Sequence, residues 1–283
     1  MNHNNNRTIK WYTHELDFSK KTYIMGILNV TTDSFSDGGL FKEEQKAVQH
    51  AKEMISQGAH IIDIGGESTR PGAVKVGEEE EIQRIVGPVS AVREAVNVPI
   101  SIDTYKAKVA EIAIEKGASI INDVWGAKAD KNMASVAAHF DVPIILMHNR
   151  ETPDYTNLMD DIVKDLEESI KICHNAGVKD NRIILDPGIG FGKTYEQNVL
   201  VMRYLERITE LGYPLLLGTS RKSLIAKTLQ LPVDERVEGT GATVCLGIQK
   251  GADIVRVHDV LQMSRMAKMM DVMLGKEELP QFS

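Results

Sequence analysis

At eight places along the chain a short apolar run gives way to polar or ionisable residues. They are Asn29, Asp63 with Gly65-Gly66, Asp103, Asn122-Asp123, His148, Asp186, Ser220-Arg221-Lys222, and Arg256 with His258. One such residue would be a cap or a turn, but eight in series exceed turn chemistry. Lys222 opens a helical segment, where a cation opposes the helix dipole by a few tenths to about 1 kcal/mol. Two adjacent cations so placed favour an anion or carbonyl partner. Arg256 and His258, two apart on a strand, point the same way and suit an anion. A salt bridge to a neighbouring carboxylate is the competing reading. Asn29 with Asp33 offers hard oxygen donors of the kind Mg²⁺ shares with a substrate phosphate.

Blander readings stand beside these. Asp103 divides evenly between an N-cap and a functional group. Asp186-Pro187-Gly188 also reads as an Asx-turn. Asp63 reads as a structural hydrogen-bonding group beneath its glycine loop, and His148 as a satisfied core histidine. Asn122 shares the parity of Ile120, so it faces the interior and must find partners there.

The stretch LDPGIGFGKT, Leu185 to Thr194, imitates a phosphate loop. Pro187 stands where a Walker loop needs its first Gly, and Lys193 stands where a dinucleotide fingerprint needs its third. Both templates fail. Thr194-Tyr195-Glu196-Gln197 is instead a capping box ahead of an apolar stripe beginning at Leu200. Asp186, just before the motif, becomes the residue of interest.

These groups need elements to hold them. β-branched runs predict strands at Tyr23–Leu28, His60–Ile64, Pro99–Ile102, Ser119–Ile121, Val142–Met147, Arg182–Leu185, Pro214–Leu217 and Asp253–Val257. Helical stripes separate them, such as Leu158, Ile162, Leu166 and Ile170. The acidic run Glu78–Glu81 reads as a solvated helix start at the positive end of the dipole. Eight strand–helix units in 283 residues make a single (β/α)8 TIM barrel, with an open doubly wound sheet as competitor. Catalytic groups then belong where the strands end, and the two loops after the first strands are candidate lids. Residues 1–20 read as a loosely attached leader, 21–276 as the barrel and 277–283 as a tail.

Composition narrows the partners. A net charge of -7 with no basic block argues against nucleic acid. The sequence has no apolar run of membrane-spanning length and no secretory signal, so a cytoplasmic setting is expected. The 2 cysteines, Cys173 and Cys245, show neither metal nor disulfide spacing and read as buried thiols.

Taken in order, MGILNVTTDSFSDGG, IDIGGESTRPGA, SIDTYKAKVA, INDVWG, ILMH, LDPGIGFGK, LLGTSRKS and VRVHDV resemble the dihydropteroate synthases of folate synthesis, from Tyr23 to about Leu274. Thr32 departs from that pattern, which has Pro there, so the first loop loses a fixed φ. The resemblance implies that a dihydropterin pyrophosphate and p-aminobenzoate are joined with loss of pyrophosphate. It implies a pterin pocket of Asp103, Asn122, Met147, Asp186, Lys222 and Arg256. Asp103, Asp186, Lys222 and Arg256 would carry the catalysis. Pyrophosphate would meet Asn29, Thr69, Arg256 and His258, with Mg²⁺ on Asn29 and Asp33. p-Aminobenzoate would lie near Phe35, Pro71, Phe191 and Ser223. A homodimer is implied in the same way. A methyltetrahydrofolate-dependent methyltransferase and a non-catalytic pterin-binding homologue remain as alternatives.

Overall fold

The structure is a computed structural model that describes residues 7–30, 39–68 and 75–279. Its strands are β1 (Thr8–Trp11), β2 (His14–Asp17), β3 (Tyr23–Asn29), β4 (Ile61–Gly65), β5 (Ile100–Asp103), β6 (Ile120–Asp123), β7 (Ile144–Met147), β8 (Ile183–Asp186), β9 (Leu216–Leu217) and β10 (Ile254–Val257). The helices are α1 (Gly39–Ser56), α2 (Glu78–Ala95), α3 (Ala107–Glu115), α4 (Met133–Phe140), α5 (Leu158–Asn175), α6 (Tyr195–Arg203), α7 (Glu206–Thr209), α8 (Ser223–Leu229), α9 (Val237–Gln249) and α10 (Val260–Met273).

Strands β3 to β10 form one parallel sheet in the order β8-β7-β6-β5-β4-β3-β10-β9. An isolated bridge between Leu185 and Leu215 brings the two edges together, so the sheet is a nearly closed barrel. The strands are apolar on both faces, as in Ile144-Ile145-Leu146 and Ile183-Ile184-Leu185, all fully buried. That is the mark of parallel strands covered by helices outside and by each other within. An open sheet would leave β8 and β9 as separate edges, and the bridge between them excludes it.

Strand limits differ from the sequence expectation in one direction. β5, β7 and β9 begin after Pro99, Pro143 and Pro214, which have no N–H for the ladder. At the other end pairing continues through Asn29, Gly65, Asp103, Asp123 and Asp186. The polar residues are thus the last rungs of the barrel and not the first residues of its loops.

The leader expected over residues 1–20 is corrected. Thr8–Trp11 and His14–Asp17 pair as an antiparallel hairpin. Ile9, Trp11, Leu16 and Phe18 are buried, an alternation that the polar prefix MNHNNN conceals. Trp11 Nε1 donates to Ser119 O at 2.7 Å, and Arg7 pairs with Asp253. Ser119 and Asp253 immediately precede β6 and β10, so the hairpin covers the N-terminal end of the barrel.

The acidic run is corrected in part. Glu78 does begin α2. Glu81, however, is buried and pairs with Lys106, which also holds Glu67. Burial raises the Glu81 pKa against the lowering pull of Lys106. Of the two thiols, Cys173 is buried and Cys245 half-buried.

Candidate active site

Register builds the site. Asn29, Gly65, Asp103 and Asn122 stand side by side across β3, β4, β5 and β6. Met147 is paired with Asp186 across β7 and β8. All lie at the C-terminal ends of their strands, the face where barrel enzymes carry their chemistry.

Inside the barrel mouth Arg256 Nε donates to Asp63 Oδ2 at 2.6 Å, and its Nη2 donates to Asp103 Oδ2 at 2.6 Å. Asn122 Nδ2 also donates to Asp63 Oδ2, at 3.2 Å. The carboxylate reading of Arg256 is therefore the one realised in the folded chain. Burial works against the Arg256 charge, but Asp63 and Asp103 outweigh it and raise its pKa. Burial pushes the Asp103 carboxyl up to about 7, against Arg256. Among the described residues, no donor reaches Asp63 Oδ1 or Asp103 Oδ1. Asp63 is thus a member of this cluster, beyond the structural role expected of it.

A second group faces the first across the mouth. Arg221 adopts a left-handed φ of 59°, uncommon for a residue with a side chain. The turn sends Arg221 outward to an ion pair with Asp259 and leaves Lys222 as the residue capping α8. The two adjacent cations are therefore divided. Lys222 Nζ donates to Ile189 O at 2.6 Å and lies 4.6 Å from the centre of the Phe191 ring. Burial lowers its pKa to about 8, against the opposing pull of Asp186. Burial raises that of Asp186, against Lys222. Asp186 Oδ1 also accepts from Gly188 N at 2.7 Å, so the Asx-turn and the inward-facing carboxylate coexist.

The turn itself needs its glycines. Gly188 has φ 65°, and a Cβ there would collide with the His148 carbonyl. Thr194 closes the turn as the N-cap of α6, with the reciprocal Gln197 bonds of a capping box.

His258 and Ser220 are paired on neighbouring lips. The Ser220 hydroxyl accepts from the His258 backbone N–H at 3.1 Å and stands 2.9 Å from His258 Nδ1. The hydroxyl has one hydrogen and two lone pairs, so the His258 tautomer sets which partner donates in the contact with Nδ1. His148, expected to be a satisfied core histidine, is buried between Asp165 at 3.0 Å and Lys193 at 2.8 Å.

The remaining sequence candidates are distributed around this mouth. Ser223 is exposed beside Lys222, and Asn29 is exposed at the tip of β3. The Asn29 amide oxygen has the donor chemistry for Mg²⁺, although no group of three His, Cys, Asp or Glu gathers around it among the described residues. Asp33, Phe35, Thr69 and Pro71 lie outside the described residues. Sequence reading assigned Lys193 no supporting role, and placed Ser220 among the polar strand ends without its pairing to His258. Their signal was adjacency to Asp186 and Lys222 in the same turns.

Residues 25–258 match the family model for pterin binding enzymes. The chain is 63% identical to a dihydropteroate synthase of Clostridium beijerinckii over 263 residues, covering 93% of this chain and 98% of that one. Among solved structures, a dihydropteroate synthase of Clostridium difficile in the presence of pteroic acid matches with a TM-score of 0.88 at 51% identity, covering 91% and 98%. One of Xanthomonas albilineans with 4-aminobenzoic acid matches with a TM-score of 0.88 at 36% identity, covering 97% and 99%. A polar barrel mouth with paired carboxylates and cations, on a chain this similar throughout, leads to one assignment. The protein belongs to the dihydropteroate synthase family of pterin-binding enzymes, transferases of folate biosynthesis.

Proposed function

We propose that the protein joins 6-hydroxymethyl-7,8-dihydropterin pyrophosphate to p-aminobenzoate, giving 7,8-dihydropteroate and pyrophosphate. The observation that carries this reading is the buried floor of the mouth. Asp63 and Asp103 each hold one carboxylate oxygen to which no described residue donates. Leaving such an acceptor unpaired costs ~1–3 kcal/mol, so a ligand that donates there is favoured. A pterin presents an amino group, a ring N–H and a carbonyl along one flat edge. Asp103, Asn122 and Asp186 match the donors, Lys222 matches the carbonyl or a ring nitrogen, and Met147 lines the pocket. The Arg256 guanidinium offers a plane on which the ring stacks. One relative was solved in the presence of pteroic acid, in which a pterin is already joined to p-aminobenzoate, and another with 4-aminobenzoic acid, so both the joined skeleton and the amine partner occur among the relatives.

The reaction in this reading is dissociative. The bond from the exocyclic methylene to the pyrophosphate oxygen breaks, and the electron pair leaves with the oxygen. Asn29, Thr69, Arg256 and His258 receive the anion, by electrostatic stabilisation of developing charge. Asp103 and Asp186 favour the pterin cation left behind. The amine of p-aminobenzoate, placed by Phe35, Pro71, Phe191 and Ser223, then forms the C–N bond, and its surplus proton passes to solvent. Asn29 and Asp33 would hold Mg²⁺, which when bound offsets charge on the departing group. A cytoplasmic homodimer completes the proposal. Met269, Met273 and Leu274 offer exposed apolar surface for pairing, and sedimentation measures the mass.

The test is pyrophosphate release from purified protein as Mg²⁺ is titrated. Release that requires both the pterin pyrophosphate and p-aminobenzoate is expected. No release with both present sinks the proposal, and release without the amine sinks the coupled order.

A further inference from the structure

We infer that Lys193 is a positioning residue, which clamps the turn between β8 and α6 in the shape that sets Asp186, Lys222 and Phe191 for the pterin. Its ammonium has three hydrogens and meets three acceptors. They are Gly188 O at 3.0 Å, Phe191 O at 3.1 Å and His148 Nδ1 at 2.8 Å. For Nδ1 to accept, the His148 hydrogen must sit on Nε2, and Nε2 faces the Asp165 carboxylate at 3.0 Å. Asp165 is held in turn by Arg150 Nε at 2.7 Å. The four side chains form one polarised row from the α5 surface to the turn, with every shared hydrogen assigned to a donor.

The row has its full set of donors below pH about 7, the value to which burial lowers the Lys193 pKa against the raising pull of Asp186. Burial lowers the His148 pKa to about 4, so the ring is neutral and can accept. Burial also works to raise Asp165, but hydrogen bonds from His148 and Arg150 outweigh it and keep the carboxylate ionised.

What the clamp holds is specific. Gly188 supplies the N–H that fixes Asp186 Oδ1, Ile189 supplies the carbonyl that receives Lys222 Nζ, and Phe191 supplies the ring under that ammonium. All three lie between the carbonyls held by Lys193 or on the residues that carry them. A shift of this turn moves both halves of the pterin's hydrogen-bonding frame together. The Lys that imitates a phosphate-loop lysine therefore points away from any phosphate and into the scaffold.

The inference rests on the pterin reading above, and its test separates the two. Lys193→Met keeps the stem and removes the donors. Lys193→Arg, a conservative variant, restores a cation with donors. Hydrogen exchange of the peptide spanning 186–194 is measured on ligand-free protein, and affinity for pteroic acid by calorimetry. The expected result for Lys193→Met is exchange at least about tenfold faster in that peptide, with unchanged exchange across β3 to β6. Pteroic acid affinity should fall about tenfold or more, as when an outer-shell partner is lost. Lys193→Arg should recover part of both. Unchanged local exchange overturns the inference, as does faster exchange throughout the barrel or unaltered affinity for pteroic acid. Failure of the wild-type protein to bind pteroic acid defeats the pterin reading, while the exchange measurement still decides whether Lys193 clamps the turn.

Discussion

Lys222 and Asp186 hold opposite charges in a pocket that disfavours both, and each offsets part of the other's burial. Lys222→Ala and Asp186→Ala should each lower kcat/KM by more than about 100-fold, about 2.7 kcal/mol of transition-state stabilisation. Steady-state kinetics with either variant near wild type would remove it from the mechanism. With its pKa lowered to about 8, the Lys222 ammonium loses its proton as pH rises through that value. The alkaline limb of kcat/KM should fall there, and Lys222→Arg should move the limb out of range. The stability contribution has the opposite sign. The folded pKa lies below the ordinary 10.5, so between about 8 and 10.5 the unfolded chain binds more protons and this group favours folding increasingly as pH rises. Loss of activity without loss of fold is therefore expected in that window. Arg256→Met should cost about 3–5 kcal/mol in urea unfolding, because Asp63 and Asp103 would be buried without their cation. Lys222, Asp186 and Arg256 were legible as polar residues ending apolar runs. The contact of Asp63 with Arg256 was not, since 193 residues separate them and only barrel closure makes them neighbours.

Among the elements, the turn from β8 into α6 shows how local rules serve the site. Thr194 and Gln197 form their reciprocal bonds, so the helix begins at Tyr195, two residues after Lys193. Thr194→Ala should lower stability by about 1 kcal/mol, read from the denaturation midpoint. A glycine-rich motif and a capping box overlap here, and the capping box was decisive because its spacing is strict while the nucleotide templates fail by one residue. The strands were legible because unbroken isoleucine, leucine and valine runs have few uses other than a two-sided core. Their exact starts were not, since a proline inside an apolar run keeps the run's hydropathy and removes its N–H.

Across the whole molecule, the two ends of the barrel have separate tasks. The hairpin of residues 8–17 covers one end, and the site occupies the other. Trp11→Ala should cost about 3–5 kcal/mol by chemical denaturation, with kcat/KM of the folded fraction within about twofold. A loss of catalysis larger than the loss of fold would show that the two ends communicate. The hairpin escaped the sequence because its four-residue strands are too short for a periodic signal and follow a polar prefix.

The joint between β8 and β9 has a further consequence. Asp186 ends β8, Lys222 follows β9, and the Leu185–Leu215 bridge links the strands between them. A substrate gripped by both residues is a staple across the most thinly laced seam of the barrel. Ligand occupancy then governs how readily the wall gapes, and a protease that nicks Gly218–Ser223 in the empty protein should be held off as pteroic acid is added. At 100 times its dissociation constant such a ligand adds about 2.7 kcal/mol against opening.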